Sequence, residues 1–308
     1  MKPLQDSPKQ LGEKDAAPTR DWITLRAPAK VNLSLNIMGR RDDGYHLLDS
    51  IMVPISLYDT LKITRLRKQG EIRVTCDHPG IPEGRENLAY KAAHLFLEAS
   101  RSRWGVSIQL KKRIPIGAGL GGGSSDAAAV LKGLNRLLDL NISERGMMRT
   151  AESLGADVPF FIPCRPARVR GTGAKLLVLP GFPTLWLLVV YPGYSIETAS
   201  IYASVRLTKR SQKATHIASF TRGAIDSSSL INDLESVAMR LHPEIANMKE
   251  RLFGAGAEAA LMTGSGSSVF GLFSSQRSAH SALGSFKTTP KESVFLVHSV
   301  DRWAVAKR

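Results

Sequence analysis

The stretch Ile114-Pro-Ile-Gly-Ala-Gly-Leu-Gly-Gly-Gly-Ser-Ser-Asp126 constrains this chain more than any other. Gly117, Gly119, Gly121, Gly122 and Gly123 stand between a strand pattern that ends at Leu110 and an apolar helical period at Ala127, Val130, Leu131, Leu134 and Leu138. Without Cβ atoms, a backbone can take positive φ and lie close against a ligand. Ser124 and Ser125 are good helix caps, and a helix start presents free N–H groups and the positive end of its dipole. Those features together suit a polyphosphate.

The loop is not one of the common phosphate loops. Gly117-x-Gly119-x-x-Gly122 matches a dinucleotide fingerprint formally, but the segment before it carries Lys111, Lys112 and Arg113, unlike a buried parallel strand. No Lys-Ser or Lys-Thr pair follows the glycines, so it is not a Walker loop. The chain has neither His-Arg-Asp nor Asp-Phe-Gly, which excludes the protein-kinase set.

Around the loop, strand and helix patterns mix without regular βαβ alternation, which predicts an α+β fold. Val31, Leu33, Leu35 and Ile37 alternate with polar residues as in a strand. Further strands are expected at His46–Ile55, Thr60–Leu66, Ile72–Thr75 and Val106–Leu110. Asn87–Ala99 reads as a helix with Leu88, Ala92, Leu95 and Phe96 on one side. Ser143 caps a helix ending near Gly155, and Asp157-Val-Pro159 starts another. Later elements are a buried strand at Leu185–Tyr191, a helix near Leu230–Leu241, and a glycine-rich hairpin from Met262 to Ser268 before Val269–Phe273. The expected organisation is a disordered tail over 1–20, one domain over 21–178 and a second over 179–308.

The 308 residues are 43% hydrophobic, enough to bury a core. Two cysteines are too few for a disulfide framework and point to a reducing compartment. The longest apolar run, Thr184–Tyr191, is too short to span a membrane, and the polar start is no secretory signal, so a cytoplasmic location is expected. The formal net charge of +15 favours anionic partners. Its lysines and arginines are dispersed rather than massed with aromatics, so no nucleic-acid partner and no membrane partner are expected.

Phosphoryl transfer to an alcohol requires a proton acceptor and positive charge beside the transferring group. Lys30 shares strand parity with Asn32, opposite Val31 and Leu33. Taken alone, this lysine reads rather as a solvated residue at a strand end than as part of a substrate face. Asp157, between Gly155 and Pro159, suits both a general base and a helix N-cap. Tyr45 and His46, at the exit of an Asp-Gly turn, suit either stacking on a base or packing within a hairpin.

Together these segments resemble the galactokinase, homoserine kinase, mevalonate kinase and phosphomevalonate kinase superfamily. Three motifs appear in its order: Pro28-Ala-Lys-Val-Asn32, the stretch Pro115 to Asp126, and Thr263-Gly-Ser-Gly266. The resemblance implies two domains, an N-terminal unit related to a ribosomal-protein fold and an α/β-plait-like C-terminal domain, with the site in the cleft between them. It also implies ATP and Mg²⁺, without naming metal ligands. Within the superfamily, Gly39-Arg-Arg-Asp-Asp-Gly-Tyr-His46 and Leu154-Gly-Ala-Asp-Val-Pro159 are similar to the branch that phosphorylates the 2-hydroxyl of a cytidylyl methylerythritol. Homoserine or a mevalonate-type acid is the alternative substrate, and a nonenzymatic RNA-binding protein a more distant one.

The resemblance also implies roles for particular residues. Asp157 and Lys30 are implied as catalytic. Pro115, Gly117, Gly119, Leu120, Gly121, Gly122, Gly123, Ser124, Ser125, Asn87 and Lys112 are implied at ATP, and Asn32, Tyr45, His46, Tyr202 and Thr263 at the substrate. The family often has phenylalanine where this chain has Tyr202, prolines at Glu197 and Ala199, and glutamate at Ala174.

Overall fold

The computed structural model describes residues 21–42, 44, 46–205, 217–220 and 225–305. The predicted tail over 1–20 and Tyr45 lie outside the described residues.

The long alternating segment forms β1 (Trp22–Arg40), which pairs antiparallel along most of its length with β2 (His46–Leu66). The two strands predicted at His46–Ile55 and Thr60–Leu66 are therefore one. Shifts of register at Pro28/Ala29, Asn32/Ser34 and Ile37/Gly39 bend the ribbon without breaking it. Tyr58 and Asp59, which read as a break, keep their ladder places opposite Pro28 and Ala27. Five more segments extend this sheet: β3 (Ile72–Cys76), β4 (Gly105–Lys111), β5 (Ala167–Gly171), β6 (Lys175–Val178) and, from late in the chain, β8 (Ile231–Asn232). The last strand, β12 (Ala304–Val305), also joins β1. A second sheet has the order β11 (Ser293–His298), β7 (Trp186–Tyr191), β10 (Val269–Phe273), β9 (Ala259–Met262).

Helices cover both sheets. α1 (Leu88–Ala99), α2 (Gly122–Leu137), α3 (Glu144–Leu154) and α4 (Val158–Phe161) pack with the first sheet around Ile63, Leu131 and Phe160. α5 (Thr198–Ala203), α6 (Glu235–Leu241), α7 (Glu244–Gly254) and α8 (Gln276–Ser285) surround a separate cluster with Leu188, Met248 and Phe273. A third cluster, with Val31, Val53, Leu120, Val189 and Phe270, is shared between the sheets. One face of β1 is therefore core, while Lys30, Asn32, Ser34 and Asn36 on the other parity are also buried, among polar partners.

Two further expectations need correction. α1 buries Ala89, Ala92, Ala93, Phe96 and Leu97 rather than a face containing Leu95, because the helix docks on α2 through small residues. The helix expected over Leu230–Leu241 begins only at Glu235. Ile231 and Asn232 are pulled into a parallel pairing with Ser34 and Leu35.

β4 delivers the chain to the glycine loop, and its start is fixed by Gly105. A Cβ there would lie 2.3 Å from the carbonyl oxygen of Lys68 and 2.5 Å from that of Glu71. Both are backbone atoms of the turn between β2 and β3, and the Glu71 carbonyl also accepts from Val106 N–H at 2.7 Å, so they cannot retreat freely and Gly105→Ala should cost about 2 kcal/mol or more. Urea unfolding monitored by circular dichroism checks this. Unchanged stability would mean that the turn between β2 and β3 is looser than it stands.

Candidate active site

Between Lys112 and Gly121 the glycine loop is gripped by neighbours. Lys30 N–H donates to the Leu120 carbonyl at 3.0 Å, and Ser268 N–H donates to the Ala118 carbonyl at 3.2 Å. A Cβ on Gly119 (φ +74) would lie 2.1 Å from the Thr263 carbonyl oxygen, and one on Gly121 (φ +71) would lie 3.1 Å from Lys30 Cγ. Gly121 itself is the left-handed residue from which α2 begins. Ser124 and Ser125 are therefore not its caps but sit in its first turn, because the helix already starts at Gly122 and Gly123. The first intrahelical bond is donated by Ser125 N–H to the Gly121 carbonyl at 2.9 Å, which leaves the preceding amides directed at the loop.

Lys30 is 3% exposed, which removes the reading as a solvated strand end. Its Nζ donates to Asn32 Oδ1 at 2.6 Å and lies 3.8 Å from Asp157 Oδ2. Burial lowers its pKa from the ordinary lysine value, and Asp157 opposes that shift. Asp157 occupies the N-cap position of α4, yet its side chain makes no capping bond. The carboxylate thus remains available beside the lysine.

Asn32 joins the first motif to the third. Its Oδ1 accepts from Lys30 Nζ, from Thr263 Oγ1 at 3.3 Å and from Gly264 N–H at 3.1 Å, while its Nδ2 donates to Ser50 Oγ at 2.8 Å. Asn32 N–H donates in turn to Thr263 Oγ1 at 3.1 Å. Thr263 is wholly buried, and the hairpin residues that line the cavity are Gly264 and Ser265.

Lys30, Asn32 and Asp157 line a cavity of about 1050 Å³ together with the glycine loop. Asn87 and Lys112 line it where α1 begins. Asn87 is the N-cap of α1: its Oδ1 accepts from Ala89 N–H at 2.8 Å and its Nδ2 donates to the Pro82 carbonyl at 2.7 Å. Lys112 Nζ is held between Asp59 and Asp126, 2.6 Å from Asp126 Oδ2. Burial opposes the charge on Lys112, but the two carboxylates outweigh it and its pKa is raised. Burial, with Asp59 nearby and against the pull of Lys112, pushes Asp126 up to about 7. Asp59 also accepts from Arg113 and Ile114 N–H at 2.6 and 2.9 Å, so one buried carboxylate sets both the lysine and the entry to the loop. Sequence reasoning missed Asp59. Its signal was an acid inside an otherwise apolar run, which was taken for a break between strands.

His46 and Tyr202 line the same cavity from the first residue of β2 and from α5. Their rings lie 5.0 Å apart, tilted by 37°. Burial and the nearby Arg40 lower the His46 pKa, so the imidazole is neutral at pH 7 and can both donate and accept. Burial raises the Tyr202 pKa, and so does the charge of Asp157, which places the phenol within electrostatic reach of the carboxylate.

Two family models match this chain: GHMP kinases N terminal domain over residues 87–164, and GHMP kinases C terminal over 218–291. A 4-diphosphocytidyl-2-C-methyl-D-erythritol kinase of Geobacter metallireducens is 46% identical over 260 residues, covering 84% of this chain and 92% of the relative. One from Macrococcus caseolyticus is 38% identical over 282 residues, covering 89% and 98%. A crystal structure of a 4-(cytidine 5'-diphospho)-2C-methyl-D-erythritol kinase superposes with a TM-score of 0.75 at 37% identity, covering 90% of this chain and all of that one. A homoserine kinase from Cytophaga hutchinsonii has a TM-score of 0.74 at 19% identity, covering 92% and 96%, and shares the fold. With its three motifs assembled around one cavity, the chain belongs to the 4-diphosphocytidyl-2-C-methyl-D-erythritol kinase family of the GHMP kinases.

Proposed function

We propose that this protein transfers the γ-phosphoryl group of ATP to the 2-hydroxyl of 4-diphosphocytidyl-2-C-methyl-D-erythritol, a step of the non-mevalonate isoprenoid pathway. The observation that carries the chemistry is the uncapped Asp157 carboxylate, 3.8 Å from a buried lysine in a cavity that also holds the start of α2. Asp157 accepts the proton of the substrate hydroxyl. Lys30 holds that carboxylate in place and adds positive charge beside the transferring group. The amides at the start of α2 receive the triphosphate. His46 and Tyr202, with Tyr45 as the expected third ring, take the cytosine. Asn87 and Lys112 bound the cavity where the adenosine is expected.

The relatives at 38–46% identity support this substrate over homoserine or a mevalonate-type acid, whose kinases share the fold at 19% identity or less. The cytoplasmic location expected from composition is in keeping with two free cysteines and with no described helix being long and apolar enough to cross a membrane.

Mg²⁺ is expected with ATP. No group of three metal-ligating side chains occurs among the described residues, but Mg²⁺ with a nucleotide needs only one or two carboxylates. Asp126 Oδ1 and Ser125 Oγ, buried without partners among the described residues at the start of α2, fit that need and would hold it. Bound there, the ion would neutralise charge on the phosphate oxygens.

Asp157→Asn keeps the backbone geometry and removes the proton acceptor, so kcat should fall about 10²- to 10⁴-fold with the melting temperature unchanged. Turnover near that of the wild type would leave Asp157 with no chemical role.

Because burial lowers the Lys30 pKa, kcat should decline on the alkaline side before the ordinary lysine value of 10.5 is reached. In Lys30→Arg, whose guanidinium stays charged, that decline should vanish from the pH profile. An alkaline limb that survives in Lys30→Arg assigns the titration to another group.

Tyr202→Ala should raise KM for the cytidylyl substrate about 5- to 150-fold, the worth of one stacked ring, and leave KM for ATP within about twofold. Steady-state kinetics beside homoserine and mevalonate decide the substrate. A preference for either of those acids would keep the family and overturn the reaction proposed.

A further inference from the structure

Asn232 lies far from the three motifs in sequence and was not among the expected site residues, yet it is buried against them. Its Nδ2 donates to the carbonyls of Met262 and Gly264, both at 2.8 Å. Its Oδ1 accepts from Leu234 N–H at 3.0 Å, which fixes the orientation of the amide. The segment around it is tied to both sheets. Asp233 N–H donates to the Leu35 carbonyl at 2.9 Å, and Asp233 Oδ2 accepts from Ile37 N–H at 2.8 Å. Glu235 Oε1 accepts from Met262 N–H at 2.8 Å, and its other oxygen pairs with Lys249 at 2.7 Å.

We infer that Asn232 is a positioning residue for phosphoryl transfer, acting by way of the 263–266 hairpin on Asn32 and Lys30. The contacts run in one direction. Asn232 grips Gly264 by its carbonyl, and Gly264 presents its N–H to Asn32 Oδ1. Asn32 Oδ1 also receives Lys30 Nζ, which faces Asp157. An amide suits this place because it supplies two donors on one nitrogen and an acceptor on the same planar group. A hydroxyl cannot hold both carbonyls and also accept from Leu234. With the hairpin released, Gly264 withdraws from Asn32, and the amide that aims Lys30 becomes free to rotate. The inference rests on Lys30, Asn32 and Asp157 doing the chemistry proposed above, but not on which alcohol is phosphorylated.

The test is a double-mutant cycle in full-length enzyme, with ATP and the cytidylyl substrate. Asn232→Ser should lower kcat about 10- to 100-fold while KM for ATP stays within about twofold, as expected when the reacting groups are misplaced by a fraction of an ångström. In an Asn32→Ala background, Asn232→Ser should change kcat by less than about twofold, because the group through which Asn232 acts is already gone. A purely structural role predicts the same fold-loss in both backgrounds, with a lowered melting temperature, and that result overturns the inference. So does an unchanged kcat in the single variant. If Asn232→Ser does not purify folded, Asn232→Asp, which keeps the volume and the acceptor for Leu234 N–H, goes through the same cycle under the same criterion. A wild type that phosphorylates a different alcohol overturns the substrate reading above, and the cycle is then run on that alcohol.

Discussion

The amide of Asn32 is the contact on which the site depends. One oxygen accepts donors from β1, from the side chain of Thr263 and from the backbone of Gly264. Those groups are buried, and a buried donor left unpaired costs about 1–3 kcal/mol. The two halves of the chain therefore cannot drift apart at this point without exposing several orphaned groups at once. Lys30 shares in the constraint. Its charge is removed from water, and its hydrogen bond to Asn32 together with Asp157 offsets part of the desolvation.

The glycine loop answers to two demands. Its amides must be accessible to an anion, but the loop must also pass between β1 and the 263–266 hairpin. Gly119 belongs to the second demand, since a Cβ there would meet the Thr263 carbonyl oxygen at 2.1 Å. Gly121 serves both: a Cβ there would lie 3.1 Å from Lys30 Cγ, and the residue starts α2 in the left-handed conformation. A sequence rich in glycine at one point thus marks a crossing of chain segments as much as a ligand.

The elements with strong local signals were legible before the structure. The β1 alternation, the Ser143 cap with Gly146 N–H donating to its hydroxyl at 3.2 Å, and the helix after the glycine loop all stand close to where the pattern put them. Long-range polar bonds left no such signal. Asp59 looked like the end of a strand because a carboxylate in a ladder is disfavoured in isolation. What stabilises it there is Lys112 and two backbone amides more than fifty positions away in sequence. Ile231 and Asn232 looked helical from their neighbours, and pairing with Ser34 and Leu35 overrode that preference. The capping question at Asp157 was likewise undecidable locally, because the answer lies in a lysine on β1.

The net charge of +15 gives a misleading picture of how the cavity meets an anion. Lys30 faces Asp157, and Lys112 is enclosed by Asp59 and Asp126, so the two lysines lining the cavity are already balanced by acids. Attraction of the triphosphate proposed at the start of α2 would fall instead on backbone amides and the helix dipole, which carry only partial charge. Around Lys112 the two carboxylates outnumber the single cation, and burial, reinforced by the neighbouring Asp59, raises the pKa of Asp126 to about 7. A triphosphate placed beside this cluster adds further negative charge. The imbalance would be relieved if Asp126 took up a proton or if a divalent cation entered with the nucleotide, and Asp126 Oδ1, without a partner among the described residues, is the atom at which either would bind. In the reaction proposed above, the acids that seem out of place in a site for anions would favour a nucleotide that carries a divalent cation.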